Sequence, residues 1–300
     1  MHRSSLKATP TTGRVDITDE DRRAILEPLT RYGHIDTVHF ECFGKRHYTT
    51  TRSRLKKFFH ETADWKLADK PILRNVSAHA KAFSEPIYYH RGPSIYADLN
   101  YDDQTKKLLE STIIGPHFNE HDISLCRCVA EIEQAVTKAG LEFISHYEIV
   151  KRSKRVSKDR PLHVPVPKIE HTFKSGTKTL TNIDVRPDAV FGIRYPGNKT
   201  RFFAVERDRG NETFIPTHGF DQTSWLQKVL SYRAALWQEL GISKIYILAI
   251  METERRADNL INTFKEPSLY ALPVKSTYKP DNFYFTATWK GQTPLKLGEV

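Results

Sequence analysis

Cysteine is scarce in this 300-residue chain: Cys42, Cys126 and Cys128 are the only three. A small odd number without framework spacing excludes a disulfide scaffold and fits a reducing compartment, so a cytoplasmic protein is expected. Cys126-Arg-Cys128 is not a zinc spacing, and no second pair completes four ligands. His117 and His121 could share a helix face near Cys128, but a structural role is the expectation for them. Long apolar runs are missing as well. The longest, Ile245 to Met251, is too short to span a bilayer, so no membrane partner is expected. Met-His-Arg-Ser-Ser at the start has no signal-peptide core. There is no internal repeat or low-complexity tract, and no aromatic pair of the RNA-recognition kind on neighbouring strands.

Positive charge is what the chain has in excess. Its net charge is +10, which favours an anionic partner, most often nucleic acid. With 16 Phe, 13 Tyr and 4 Trp it can build real cores, and its length suits two domains better than one.

Residues 1–16 are polar and read as a disordered tail. Thr18-Asp-Glu-Asp21 resembles a helix cap, predicting a helix from Asp19 to Tyr32 with a kink at Pro28 and a stop at Gly33. Asp36 to Phe43 and Thr49 to Glu61 read as two further helices, the latter with Leu55, Phe58 and Phe59 turned inward. Ile87 to His90 and Ser94 to Asp98 read as strands around the Arg91-Gly-Pro93 turn. Three short helices and a hairpin give the order of a winged helix-turn-helix over residues 17–100. In that module the third helix enters the major groove. Thr49, Thr50, Arg52, Arg54, Lys56 and Lys57 on that helix, with Arg91 at the hairpin, are the candidate DNA contacts; a merely solvated basic face is the alternative.

Residues 101–116, ending at Gly115-Pro116, read as a linker, and residues 117–300 as the second domain. A helix is predicted from His121 to Ala139 and a strand from Leu141 to Val150. The run from Lys151 to Arg160 has six basic residues against one acid, so Lys151, Arg152, Lys154 and Arg155 are candidate backbone clamps. Ile169 to Lys174 and Thr177 to Asp184 can pair through Ser175-Gly176. A helix from Trp225 to Leu240, a buried strand from Lys244 to Ile250, a helix from Arg256 to Lys265 and an edge strand from Phe283 to Trp289 complete the reading.

The chemistry concentrates in one predicted hairpin. Asp188-Ala-Val-Phe-Gly-Ile-Arg194 and Arg201-Phe-Phe-Ala-Val-Glu206 flank turn residues Tyr195 to Thr200. If the hairpin is symmetric about Gly197, Asp188 faces Glu206 on one side of the sheet. If the turn takes Pro196 to Lys199, the register slips by one and the acids separate. Facing carboxylates would suit Mg²⁺ or Mn²⁺, which polarises a phosphodiester and activates water. Ion pairing of these acids to Arg186, Arg207 or Arg209 is the bland alternative.

The order helix, strand, acidic hairpin, helix, strand, with Pro187-Asp188 and Glu206-Arg-Asp208, resembles the PD-(D/E)XK nuclease fold over residues 117–255. More narrowly, Val185-Arg-Pro-Asp-Ala-Val190, Phe203 to Glu212 and Gln227-Lys228 with Tyr232 resemble the plasmid replication-relaxation family. Members of that family carry a winged helix before a nuclease-like domain. The resemblance implies an α+β or α/β fold with a mixed sheet flanked by helices. It also implies metal binding by Asp188, Glu206 and the main-chain carbonyl of Arg207. Asp208 stands where that motif normally has lysine, and would serve as an auxiliary ligand or base. Lys228, on one helix face with Tyr232, would supply the missing ammonium, and Glu131 or Glu133 could add a carboxylate. The expected function is a Mg²⁺-dependent DNA endonuclease or nickase of a plasmid, phage or mobile element. Its partners would be double-stranded DNA and a second copy of the chain. The alternative is a non-catalytic DNA-binding regulator of plasmid replication or transfer on a degenerate nuclease fold.

Overall fold

Thr18 opens the first helix. Its hydroxyl accepts the Asp21 N–H at 3.1 Å, and the Asp21 carboxylate accepts the Thr18 N–H at 2.9 Å, a reciprocal cap. α1 (Asp19–Asp21), a π-helical segment (Arg22–Leu26) and α2 (Glu27–Tyr32) follow without a break. The wide π turn stands just before Pro28, which has no N–H for the ladder, and so absorbs the kink expected there. This computed structural model describes residues 4–5, 15–36, 43, 48–60, 68–73, 88–92, 94–114, 120–153, 160–208, 210–220, 223–251, 253–265 and 283–287. The chain divides into two compact units, Met1–Lys138 and Ala139–Val300.

In the first unit, β1 (Ser4–Ser5), β2 (His34–Asp36), β3 (Ala68–Leu73) and β4 (Tyr88–Arg91) form an antiparallel sheet in the order β1-β3-β4-β2. α3 (Tyr48–His60) buries Leu55, Phe58 and Phe59, as their spacing predicts. Several expectations are corrected here. Asp36 belongs to a strand, and residues 37–42, read as helix, lie outside the described residues. The strand expected from Ser94 to Asp98 is instead a helical turn, α4 (Ile95–Asp98). Ile95 and Tyr96 are adjacent and both buried, which an alternating half-exposed strand does not allow.

The stretch read as a linker contains α5 (Asp103–Thr112). Asp102 caps it by accepting the Thr105 N–H at 2.6 Å, and Leu109 and Thr112 are buried. α6 (Glu120–Lys138) groups with this first unit, so the division falls at 138/139 rather than at 117. Its Glu133 pairs with Arg31 at 2.9 Å and takes a hydrogen bond from the Tyr32 hydroxyl, while Cys126 Sγ lies 3.1 Å from the Tyr32 carbonyl. Glu133 is thereby committed inside this unit.

The second unit is mixed α+β. β5 (Glu142–Ile144), β8 (Ala189–Tyr195), β9 (Lys199–Arg207), β10 (Ile245–Met251) and β11 (Phe283–Ala287) form a five-stranded mixed sheet. The order is β11-β10-β9-β8-β5. β5, β8 and β9 run antiparallel in sequence, and β10 lies parallel to both β9 and β11. The strand expected from Leu141 to Val150 stops early, and α7 (His146–Arg152) follows it. Ser145 and Glu148 form a capping box that starts a helix there. α8 (Trp225–Ala234) crosses from β9 to β10, and α9 (Glu254–Lys265) follows β10. The helix expected to reach Leu240 breaks at Ala235, where the backbone turns extended before a 3₁₀ turn (Trp237–Leu240). β6 (Val164–Phe173) and β7 (Gly176–Val185) make a separate hairpin, longer than predicted.

One sheet face, lined by Val190, Ala204 and Ala249, shares its core with Trp225, Leu226, Val229 and Leu230 of α8 and with Val164 and Val166 of β6. Each fully buried valine or leucine among them contributes about 1.5–3 kcal/mol. Gly192 permits this packing, since a Cβ there would stand 3.1 Å from the Phe202 ring and 3.3 Å from Ile144 Cβ. Among the described residues no helix is long and apolar enough to cross a membrane.

Candidate functional site

The β8–β9 hairpin pairs Val190 with Ala204, Arg194 with Thr200 and Tyr195 with Lys199. Its turn is a 3₁₀ segment (Pro196–Asn198) with Gly197 at φ 75° and Asn198 at φ 59°. The register is therefore the symmetric one. Extended one step beyond Ala189 and Val205, it sets Asp188 opposite Glu206. Asp188 donates its N–H to the Val205 carbonyl at 3.1 Å and accepts the Arg207 N–H on Oδ2 at 2.7 Å. Arg207 is thus tied to the acidic pair through its own main chain.

Glu206 lies on the face covered by α8 and is 4% exposed. Lys228 Nζ stands 2.7 Å from Glu206 Oε2, and the Tyr232 hydroxyl donates to Oε1. Lys228 and Tyr232 lie one turn apart on α8, so both reach the same carboxylate. Burial, then the charge of Asp188, lifts the Glu206 pKa from 4.5 to about 7, against the opposing pull of Lys228 and Tyr232. Burial works against the Lys228 ammonium, but Glu206 and Glu212 outweigh it and raise its pKa. Burial, followed by Glu206, raises Tyr232, so the phenol keeps its proton and donates it. The Tyr232 ring stacks on Trp237 at 5.7 Å, and Trp237 Nε1–H donates to the Tyr232 carbonyl at 2.7 Å. That bond satisfies a carbonyl freed by the end of α8.

Sequence reasoning missed Glu212, Trp225 and Arg256 as site residues. Glu212 Oε1 holds Lys228 Nζ at 2.8 Å. Asp208, expected as an auxiliary ligand or base, faces a different set of groups and is fully buried. It accepts Trp225 Nε1–H at 2.8 Å, Arg256 Nε–H at 2.8 Å and the Gly210 N–H at 2.6 Å. Arg256 also donates to the Glu212 carbonyl. Asp208 is an anchor for the segment after β9, its charge offset by Arg256. Glu212 lies within the acidic stretch already singled out in the sequence, whereas nothing local marks Arg256, which arrives through the fold.

The candidate DNA contacts divide. Thr49, Thr50, Arg52, Lys56 and Lys57 are exposed on α3. Arg54 turns inward, with Nη2 2.6 Å from Asp21 Oδ2 and the guanidinium 5.0 Å over the Phe58 ring. Asp21 is fully buried and needs that cation, so Arg54 serves the fold. Arg91 donates to the Tyr96 hydroxyl at 2.6 Å. Lys151 and Arg152 form the exposed last turn of α7, with Arg152 3.6 Å from Glu148. Lys154 and Arg155 lie outside the described residues.

Among the described residues, no three or more His, Cys, Asp or Glu side chains gather as a metal cluster. Asp188 and Glu206 still suit a hard cation, since the Asp188 charge raises the cost of charging Glu206 and a divalent ion between them relieves it. No family model, curated protein or solved structure matches the chain, so the geometry alone carries the functional reading.

Proposed function

We propose that the chain is a Mg²⁺-dependent DNA endonuclease or nickase of the plasmid replication-relaxation type. One observation carries this reading: two carboxylates face each other across a hairpin, and the crossover helix brings a lysine onto one of them. The strand order β5-β8-β9-β10, with α8 as the parallel crossover, supports a PD-(D/E)XK core. In the first unit, the order helix, strand, helix, two strands, with β2 beside β4, supports a winged helix.

Asp188, Glu206 and the Arg207 carbonyl would hold the Mg²⁺, which when bound supplies Lewis acidity toward a phosphate oxygen. Lys228, kept protonated by Glu206 and Glu212, orients a water and faces charge developing on the phosphate. Tyr232 fixes the Glu206 carboxylate from below. Asp208 takes no part in proton transfer, since Arg256 and Trp225 occupy it.

A non-catalytic DNA-binding regulator is the second reading. The specific observation in its favour is that both Glu206 oxygens already have partners in Tyr232 and Lys228. Plasmid nicking with Mg²⁺ or Mn²⁺ separates the two. The nuclease reading expects nicking by the wild type and its loss in Asp188→Ala with DNA binding retained. Equal conversion of supercoiled plasmid by both proteins discards it.

A further inference from the structure

The far end of the same hairpin carries a cluster that the acidic site does not use. Arg201 of β9 lies on the opposite sheet face from Glu206, by the alternation of strand side chains. Its guanidinium sits 5.3 Å from the Tyr195 ring centroid and 5.9 Å from that of Tyr246. Lys244 Nζ stands 4.7 Å from the same Tyr246 ring. Lys199, directly opposite Tyr195, is exposed, as is Lys244.

Two features suit this cluster to an anion. Arg201 Nη1 is buried and has no hydrogen-bond partner, a costly state for a charged donor. Among the described residues no carboxylate pairs with Arg201, Lys199 or Lys244; the nearby Glu142 is taken by Arg194 at 2.7 Å. The Tyr195 and Tyr246 rings both lie beside the Arg201 guanidinium, which as a residue is half-buried. Planar, paired N–H donors match two oxygens of a phosphate, and flanking ammonium groups add charge without geometry.

We propose that Arg201, Lys199 and Lys244, ordered by Tyr195 and Tyr246, form a second nucleic-acid contact that grips a backbone phosphate. This rests on the reading of the chain as a DNA-binding protein, and the net charge of +10 favours a polyanion over a free ion. The contact lies roughly 17 Å along β9 from Glu206, at about 3.3 Å per residue, so it acts in binding and leaves the chemistry alone.

The test measures duplex DNA affinity against salt for the full chain, alongside the Arg201 Nε–Hε NMR signal titrated with a short duplex and, separately, with inorganic phosphate. Lys199→Gln with Lys244→Gln should lower the salt slope by about 2, near 1 for each cation removed. Both positions are exposed, so folding is not at stake. Arg201→Gln should weaken binding further, and duplex DNA should move the Arg201 signal at concentrations where phosphate does not. An unchanged slope with tight wild-type binding overturns this contact and leaves the DNA-binding reading standing. A signal that phosphate moves as readily as DNA overturns the nucleic-acid assignment in favour of a free-anion site. A wild type that binds no DNA defeats both readings.

Discussion

Glu206 shows how one residue's surroundings set its chemistry. In the folded chain it holds a proton up to about pH 7, whereas 4.5 is usual for an accessible glutamate. Between those values the folded state binds more protons than the unfolded one, so stability falls as pH rises from 4.5 to 7 and levels off above. The shift corresponds to roughly 3 kcal/mol at 1.36 kcal/mol per unit. Glu206→Gln has no proton to lose. Thermal melts from pH 5 to 8 should therefore show the wild type losing more stability than the variant across that interval; parallel curves would contradict the burial argument. Lys228 keeps Glu212 as a partner in this variant, so its ammonium is not stranded.

Asp208 makes the corresponding point for elements. It joins the end of β9 to the first residue of α8 through Trp225 and to α9 through Arg256. Arg256→Ala leaves a fully buried carboxylate without its cation, and loss of one partner of a buried pair costs about 3–5 kcal/mol. Urea denaturation should show that loss, and the Lys228–Glu212 contact should loosen with it, because Arg256 also holds the Glu212 carbonyl. In the second unit the strands that carry the acids, and their register, were legible in the chain, whereas β1, β2 and β3 of the first unit were not. Gly197 with its turn neighbours set the hairpin, and the apolar run Ile245–Met251 set β10. Helix ends were harder to read. Ser145 with Glu148, and Asp102, are cap signals that strong apolar or polar neighbours obscured. The break at Ala235 depends on Trp237 reaching back to Tyr232, a contact that no local pattern encodes. The acids and Lys228 could be found because Asp188 and Glu206 close one hairpin and Lys228 lies on the next helix, whereas Arg256, although on α9, joins Asp208 only through tertiary packing.

Across the whole molecule, positive charge alone did not identify the groups available to a polyanion. Arg52 and Arg54 are near neighbours on α3 and read alike, yet Arg52 is exposed and Arg54 neutralises Asp21. Arg52→Ala should lower the salt slope of DNA binding by about 1 with little change in melting temperature. Arg54→Ala should do the opposite, destabilising the first unit through the stranded Asp21; matching effects would show that both arginines face the ligand. The division between units was misplaced for a related reason. α6 has an apolar stripe that suits either neighbour, and the partners of Glu133 and Cys126 lie in the first helical segment, far back in the chain.

The parallel pairing of β10 with β9 also dictates when the site can exist. The two acids sit on a local hairpin and can meet as soon as residue 206 is made. Lys228 and Tyr232 come over them only with α8, the crossover to β10, and Arg256 comes later still. A nascent chain therefore carries its carboxylates together before it has either the ammonium or the clasp.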